Sequence, residues 1–304
     1  VLCTFSTGRE GNDLDINKYL LFADVAETRN FTKSGERMGY TQPGVSHILK
    51  SLENELDFSL FIRTKQGVSL TPNAELILPL VRNLLAINEN LEQTINSLNG
   101  LEKGRLKIAT FASVSIQWLP TIIHKFQQDY PGIDIDLMEG GTDDIVSWVE
   151  NNVVDFGFLS KRHTKSLEWI SLYEDPLMAI LPKDHPAPLD EPYPISKMDG
   201  KSFIISAVGT DYDVHHALKE IGIKPSIHFS SKDDHAIVSM VANDLGVSIL
   251  PKLVIKDFVH QIKALPLEPY FSRDLGIGVR SVDNMTPAAT RFIEYTKELI
   301  PNLI

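Results

Sequence analysis

Apolar positions follow two regimes along this chain. Up to about residue 100 they recur every three or four residues, as in helices; beyond it they form short runs separated by helical stretches. In the first regime Tyr19, Leu20 and Phe22, with Ala23, Val25 and Ala26, predict a helix. Phe31 opens a second, with Thr32 as its cap. Met38-Gly39-Tyr40 predicts a tight turn in which Gly39 is free to take positive φ. Thr41 then caps a third helix whose first turn holds Pro43. Along that helix Val45, Leu49, Leu52 and Leu56 share one buried face, which leaves Gln42, Ser46, His47, Lys50 and Ser51 outward. Three helices thus fit before Asp57, the last two as a helix-turn-helix. Phe61 to Thr71 reads as two short strands around a glycine-containing turn, a wing.

The outward face carries chemistry suited to a DNA major groove. Gln pairs bidentately with adenine, and Lys reaches guanine or phosphate. Any amphipathic surface helix also has a polar outside, and spacing alone does not separate the two readings. The wing tips the balance, because Arg63 and Lys65 sit where a wing meets phosphate or minor groove. The candidate DNA-binding set is therefore Thr32, Lys33, Thr41, Gln42, Pro43, Ser46, His47, Lys50, Arg63 and Lys65.

Thr71-Pro72 starts a long helix expected to end near Asn99-Gly100. Ile77, Val81, Leu84, Leu91, Ile95 and Leu98 follow the four-three spacing of a coiled-coil seam, with Asn88 at the remaining position. A polar residue there either fixes register or faces solvent where the seam drifts. The candidate dimerisation residues are Ile77, Val81, Leu84, Asn88, Leu91 and Ile95.

From Gly104 strands alternate with helices. Arg105–Thr110 is a strand, Trp118–Tyr130 a helix, Ile133–Met138 a strand, Asp143–Glu150 a helix with Asn152 as a left-handed cap, and Val154–Leu159 a strand. This is a βαβαβ unit on a parallel sheet. A second unit follows Lys161-Arg162-His163, with strands at 177–181, 203–206, 227–230 and 247–250 and helices at 215–221 and 234–243. Strand 275–279 and helix 287–300 return to the first. Ligands in such sheets sit at strand C-terminal ends. That rule selects Thr110, Ser113, Ser115, Thr142, Ser206 and Thr210 as effector-binding candidates, hydroxyls before helix N-termini. The same residues would serve as plain helix caps. Asp143, Asp144, Asp211, Asp213, Asp233 and Asp234 either complement helix dipoles or favour a cationic ligand, so the effector's charge stays open.

Composition narrows the classes. The 304 residues leave room for two or three domains, and 43% apolar content is ordinary. No apolar run approaches the ~20 residues of a membrane span, nor is there a signal-peptide layout, so the expected setting is cytoplasmic. Cys3 is the single cysteine, which excludes an internal disulfide. The nine histidines show no metal-binding spacing, and neither a nucleophile elbow nor a phosphate loop occurs, so no metal, cofactor or enzymatic activity is expected. Net charge is −11, yet residues 14–71 hold seven Lys/Arg and seven Asp/Glu, so the acidity lies mainly downstream. Residues 1–13 are expected to be a disordered head, native or appended.

The stretch Leu20–Pro72 resembles the LysR-type transcriptional regulators. It shares Ala23, Val25-Ala26, Phe31-Thr32, Gln42-Pro43, Ser46, Leu52-Glu53, Leu56, Leu60-Phe61, Arg63 and Leu70-Thr71-Pro72. The chain departs at His47, where the family often has Arg, at Asp57, where it has Gly, and at Gly35, where Ala is usual. The resemblance implies an α/β protein with an N-terminal winged helix-turn-helix (14–71), a dimerising linker helix (72–99) and a two-lobed periplasmic-binding-protein-like effector domain (104–304). Lobe I would hold 104–162 and 271–304, and lobe II 163–270. It also implies double-stranded DNA with an inverted-repeat operator as partner, a small-molecule effector, and a homodimer or homotetramer. The competing reading is a solute-binding protein or enzyme with an accessory DNA-binding-like domain.

Overall fold

The computed structural model describes residues 14–304 apart from 65, 66, 101, 165 and 208–211. The head (1–13), Lys65 and Thr210 therefore lie outside the described residues. The chain divides into two compact units between Leu91 and Glu92.

The first unit holds α1 (Ile16–Thr28), α2 (Phe31–Met38), α3 (Gln42–Leu56), the antiparallel pair β1 (Phe61–Thr64) and β2 (Gly67–Leu70), and the first part of α4 (Pro72–Leu98). Its boundaries are chemical. Asn30, rather than the expected Thr32, caps α2, its Oδ1 accepting from the N–H of Thr32 (2.9 Å) and Lys33 (3.1 Å). Gly39 ends α2 at φ 75°, and Thr41 caps α3 through the Gly44 N–H. A Cβ on Gly35 would lie 2.6 Å from the Tyr40 carbonyl oxygen, so the missing side chain lets the turn close directly on α2. Asp57 ends α3 in the left-handed region at φ 59°, a conformation that favours glycine. Leu21, Phe22, Val25, Val45, Leu49, Leu52, Leu60, Ala74, Leu78 and Val81 form the core. Phe61 meets Phe22 and Phe31 edge-on, which seats the wing strand on it.

The linker helix corrects the expected seam. Val81 is 5% exposed inside this core and Ile77 packs against it, so both serve their own chain. The apolar residues left exposed are Leu76, Leu80, Ile87, Leu91, Ile95 and Leu98. Adjacent aliphatic residues at 76–78, 80–81 and 84–85 make the helix apolar on two faces, and a four-three count fits either.

In the second unit β3 (Gly104–Thr110), α5 (Ala112–Gln117), α6 (Leu119–Asp129), β4 (Ile133–Glu139), α7 (Thr142–Glu150) and β5 (Phe156–Ser160) build the βαβαβ start. β3 is parallel to both β4 and β5. α6 matches the helix expected over Trp118–Tyr130, while α5 is an additional short helix before it; Trp118 separates the two, and its ring is fully buried. Beyond come β6 (Glu168–Pro182), β7 (Tyr193–Pro194), β8 (Ser202–Ser206), α8 (Tyr212–Ile221), β9 (Ser226–Ser231), α9 (Asp234–Ala242) and β10 (Ser248–Pro251). The chain closes with α10 (Lys252–Ile255), β11 (Ile262–Glu268), β12 (Ser272–Val279) and α11 (Pro287–Leu299). The first-lobe sheet runs β4-β3-β5-β12-β6, with β12 antiparallel to both neighbours, so it is mixed rather than purely parallel.

β6 belongs to both lobes. Residues 168–176 pair with β12, and residues 177–182 pair with β10 and β11. The chain therefore passes between sheets inside one strand, later than the expected break at 162/163. The second lobe is completed by β7 on β11 and the parallel pair β8–β9. Gln93 near the end of α4 joins this unit, donating to the Arg105 carbonyl (2.8 Å).

Candidate DNA interface and effector cleft

α3 turns Val45, Leu49 and Leu52 into the core, and the 3.6-residue period then presents Gln42, Pro43, His47 and Lys50 to solvent, with Ser46 half-buried. Thr32, Lys33 and Thr41 are exposed at the starts of α2 and α3. The backbone of Arg63 pairs opposite Val68 in the wing. Ser51 is not on this face. It accepts from Lys18 Nζ (3.2 Å) and donates to Glu55 (3.1 Å), tying α1 to α3. Arg37 is likewise held within the unit, 3.4 Å from both Asp24 and Glu27. Glu53 was named only as a shared residue, and its role is geometric. Its Oε1 accepts from the N–H of Leu60 (2.7 Å) and Phe61 (3.3 Å), fixing the wing to α3.

The second unit gathers its polar groups where strands end between the lobes. Thr110 is buried at the end of β3, its Oγ1 donating to the Phe111 carbonyl (3.3 Å). Ser113 and Ser115 lie within α5, not before the helix that follows Trp118, so they cannot act as its N-terminal hydroxyls. Ser115 Oγ donates to Glu139 (2.6 Å). Ser113 Oγ accepts from Arg273 (3.0 Å), whose guanidinium pairs with Asp175 (2.9 Å) and lies 5.2 Å from the Phe111 ring. Asp175 is fully buried and also accepts the Leu253 N–H (3.0 Å), so α5, β6, β12 and α10 meet at one ion pair. Thr142 is buried at the start of α7. Ser206 is buried at the end of β8, and its Oγ has no partner among the described residues. Ser160 Oγ, at the end of β5, is in the same condition.

Of the flagged acids, Asp144 and Asp233 are caps, accepting from Gly141 (3.1 Å) and His235 (2.9 Å). Asp143 and Asp213 instead join the lobes. Asp143 accepts from Tyr212 (2.8 Å), which raises the Tyr212 pKa, and Asp213 pairs with Arg162 (2.9 Å). Among the described residues no helix is long and apolar enough to cross a membrane.

A family model for the LysR substrate binding domain matches residues 99–301, and one for the bacterial regulatory helix-turn-helix protein, lysR family, matches residues 16–75. The chain belongs to the LysR family of transcriptional regulators. It is 30% identical to the uncharacterized HTH-type transcriptional regulator YvbU of Bacillus subtilis, over 94% of this chain and 99% of that one. Full-length OxyR C199D from Pseudomonas aeruginosa shares the fold at a TM-score of 0.76 and 22% identity, covering 96% and 99% of the two chains. Full-length CbnR complexed with target DNA does so at 0.62 and 18%, covering 94% and 99%. This LysR-type regulator thus pairs a DNA-binding winged helix-turn-helix with an effector-binding domain that modulates it.

Sequence reasoning missed Ser160, Phe111, Arg162, Asp175 and Arg273. Ser160 carried a signal, a hydroxyl at the end of a buried strand. Asp175 and Arg273 carried none, since ninety-eight positions separate the two in sequence.

Proposed function

We propose that this regulator binds an inverted-repeat operator as a dimer, and that a small effector held between the lobes shifts the balance between DNA-bound arrangements. The observation that carries the reading is the stripe Leu76, Leu80, Ile87, Leu91, Ile95 and Leu98 on α4, all exposed apolar side chains in a helix continuous with the DNA-binding unit. Two-fold pairing of that stripe would bury it and bring two copies of α3 to one DNA site. The exposed Gln42, His47 and Lys50, with Ser46, would read bases; Lys33 and the wing residues Arg63 and Lys65 would hold phosphates. Effector contacts would come from Thr110, Ser113, Ser115, Thr142 and Ser206, with Ser160 added, because a buried hydroxyl with no partner among the described residues is a group a ligand can satisfy. The reading is of a cytoplasmic, non-enzymatic sensor. Cys3 being the sole cysteine, its signal is not a disulfide between two thiols of one chain.

Mobility shift with a palindromic operator-like fragment, beside sedimentation of the free protein, tests this. A sequence-preferring band from a dimer is expected. Leu80→Glu with Leu91→Glu should give folded monomers with lost operator affinity; a dimer that survives both changes rules out the α4 interface.

A further inference from the structure

A cavity of about 650 Å³ opens beside the crossover strands and is lined, among the described residues, by Lys161, Arg162, Tyr173, Glu174, Ser272 and Asp274 together with Ser171 and Leu172. Its lining shares none of the strand-end hydroxyls assigned to the effector, and its size suits a small molecule. Its charges are arranged unusually. Asp274 and Glu174 are direct partners across the antiparallel β12–β6 ladder, so two carboxylates project from one rung, a destabilising pairing. The next rung holds the opposite arrangement, Arg273 beside Asp175. Glu174 is met by two hydroxyls, Tyr270 (3.0 Å) and Ser272 (2.8 Å), while Asp274 has Ser171 (2.7 Å) and, at 3.7 Å, the largely exposed Lys161. Such a long, solvated pair contributes little. The cavity's second cation, Arg162, reaches to Asp213 of α8 in the other lobe.

We propose that this cavity binds a small zwitterion. Its ammonium would sit between Glu174 and Asp274, relieving their repulsion. Its anionic group would take Lys161 and Arg162, drawing Arg162 from Asp213 and releasing one of the links between lobes. A lone anion or a lone cation would each leave half of this charge pattern unmet. The site is additional to the effector cleft, and Arg162 couples it to the relation between the lobes.

Calorimetry on the full chain with unbranched ω-amino acids of two to six carbons, hexanoate and hexylamine tests it. At least one amino acid should bind, about tenfold or more tighter than either single-charge compound. Glu174→Gln and Lys161→Met should each weaken it about tenfold, and Ser206→Ala, in the effector cleft, should not. Absence of binding by every amino acid at about 10 mM, or equal binding of hexanoate, overturns the proposal. Loss of binding in Ser206→Ala places the ligand in the effector cleft and overturns it too. Operator binding by the same preparation tests the regulatory reading independently.

Discussion

The two units spend their polar groups in opposite ways. The DNA-binding unit closes an apolar core and, among the described residues, fully buries no charged side chain; Arg37 and Lys18 are held by neighbouring acids and one face of α3 is left open. The effector unit draws polarity inward, with a buried Arg273–Asp175 pair and the hydroxyls of Ser160 and Ser206 lacking partners among the described residues. A surface that reads DNA needs groups presented outward on a rigid support. A site that senses a small molecule needs groups already stripped of water, whose hydrogen bonds a ligand can complete.

The sharpest way to break this contrast is Asp175→Ala. It leaves Arg273 buried without its carboxylate and frees the Leu253 N–H, and should destabilise the effector unit by about 3–5 kcal/mol in denaturant unfolding. Leu78→Ala, in the apolar core of the other unit, should cost about 2–4 kcal/mol, whereas Leu91→Ala on the exposed stripe should leave protomer stability unchanged. Gln42→Ala should cost about 1–3 kcal/mol of base discrimination in binding-site selection, while Lys33→Ala should weaken all sequences alike and lower the salt slope by about 0.9. Asp57→Gly, by relieving a left-handed residue, should stabilise by up to about 1 kcal/mol without altering operator preference. A changed preference would mean that Asp57 does more than end a helix.

The same contrast explains what could be read from the chain alone. Helix caps at Thr41, the turn at Gly39 and the buried face Val45–Leu49–Leu52 are local, set by residues within a few positions of one another. Spacing also predicted the β3–β4–β5 unit and the left-handed Asn152. It misjudged α4, where neighbouring apolar residues make two stripes and only tertiary packing decides which is buried. It also missed the first half of β6, where Glu168, Glu174 and Asp175 interrupt the apolar pattern because that stretch holds an internal ion pair and a polar cavity wall. Long-range partners such as Ser113 and Arg273 leave no periodic trace at all.

The shared strand β6 has a mechanical consequence. Its two halves are clamped by different ladders, and the residue at the junction is Pro176, which has no N–H to give to either. The strand is therefore stiff on both sides of a compliant point, like a leaf spring notched at its middle. Bending stress from one sheet concentrates there, beside the Asp175 clamp, rather than spreading through the cores. The second link between the lobes, residues 269–271, lies beside it, so the Asp175–Arg273 pair ties the two crossover strands to each other at that point.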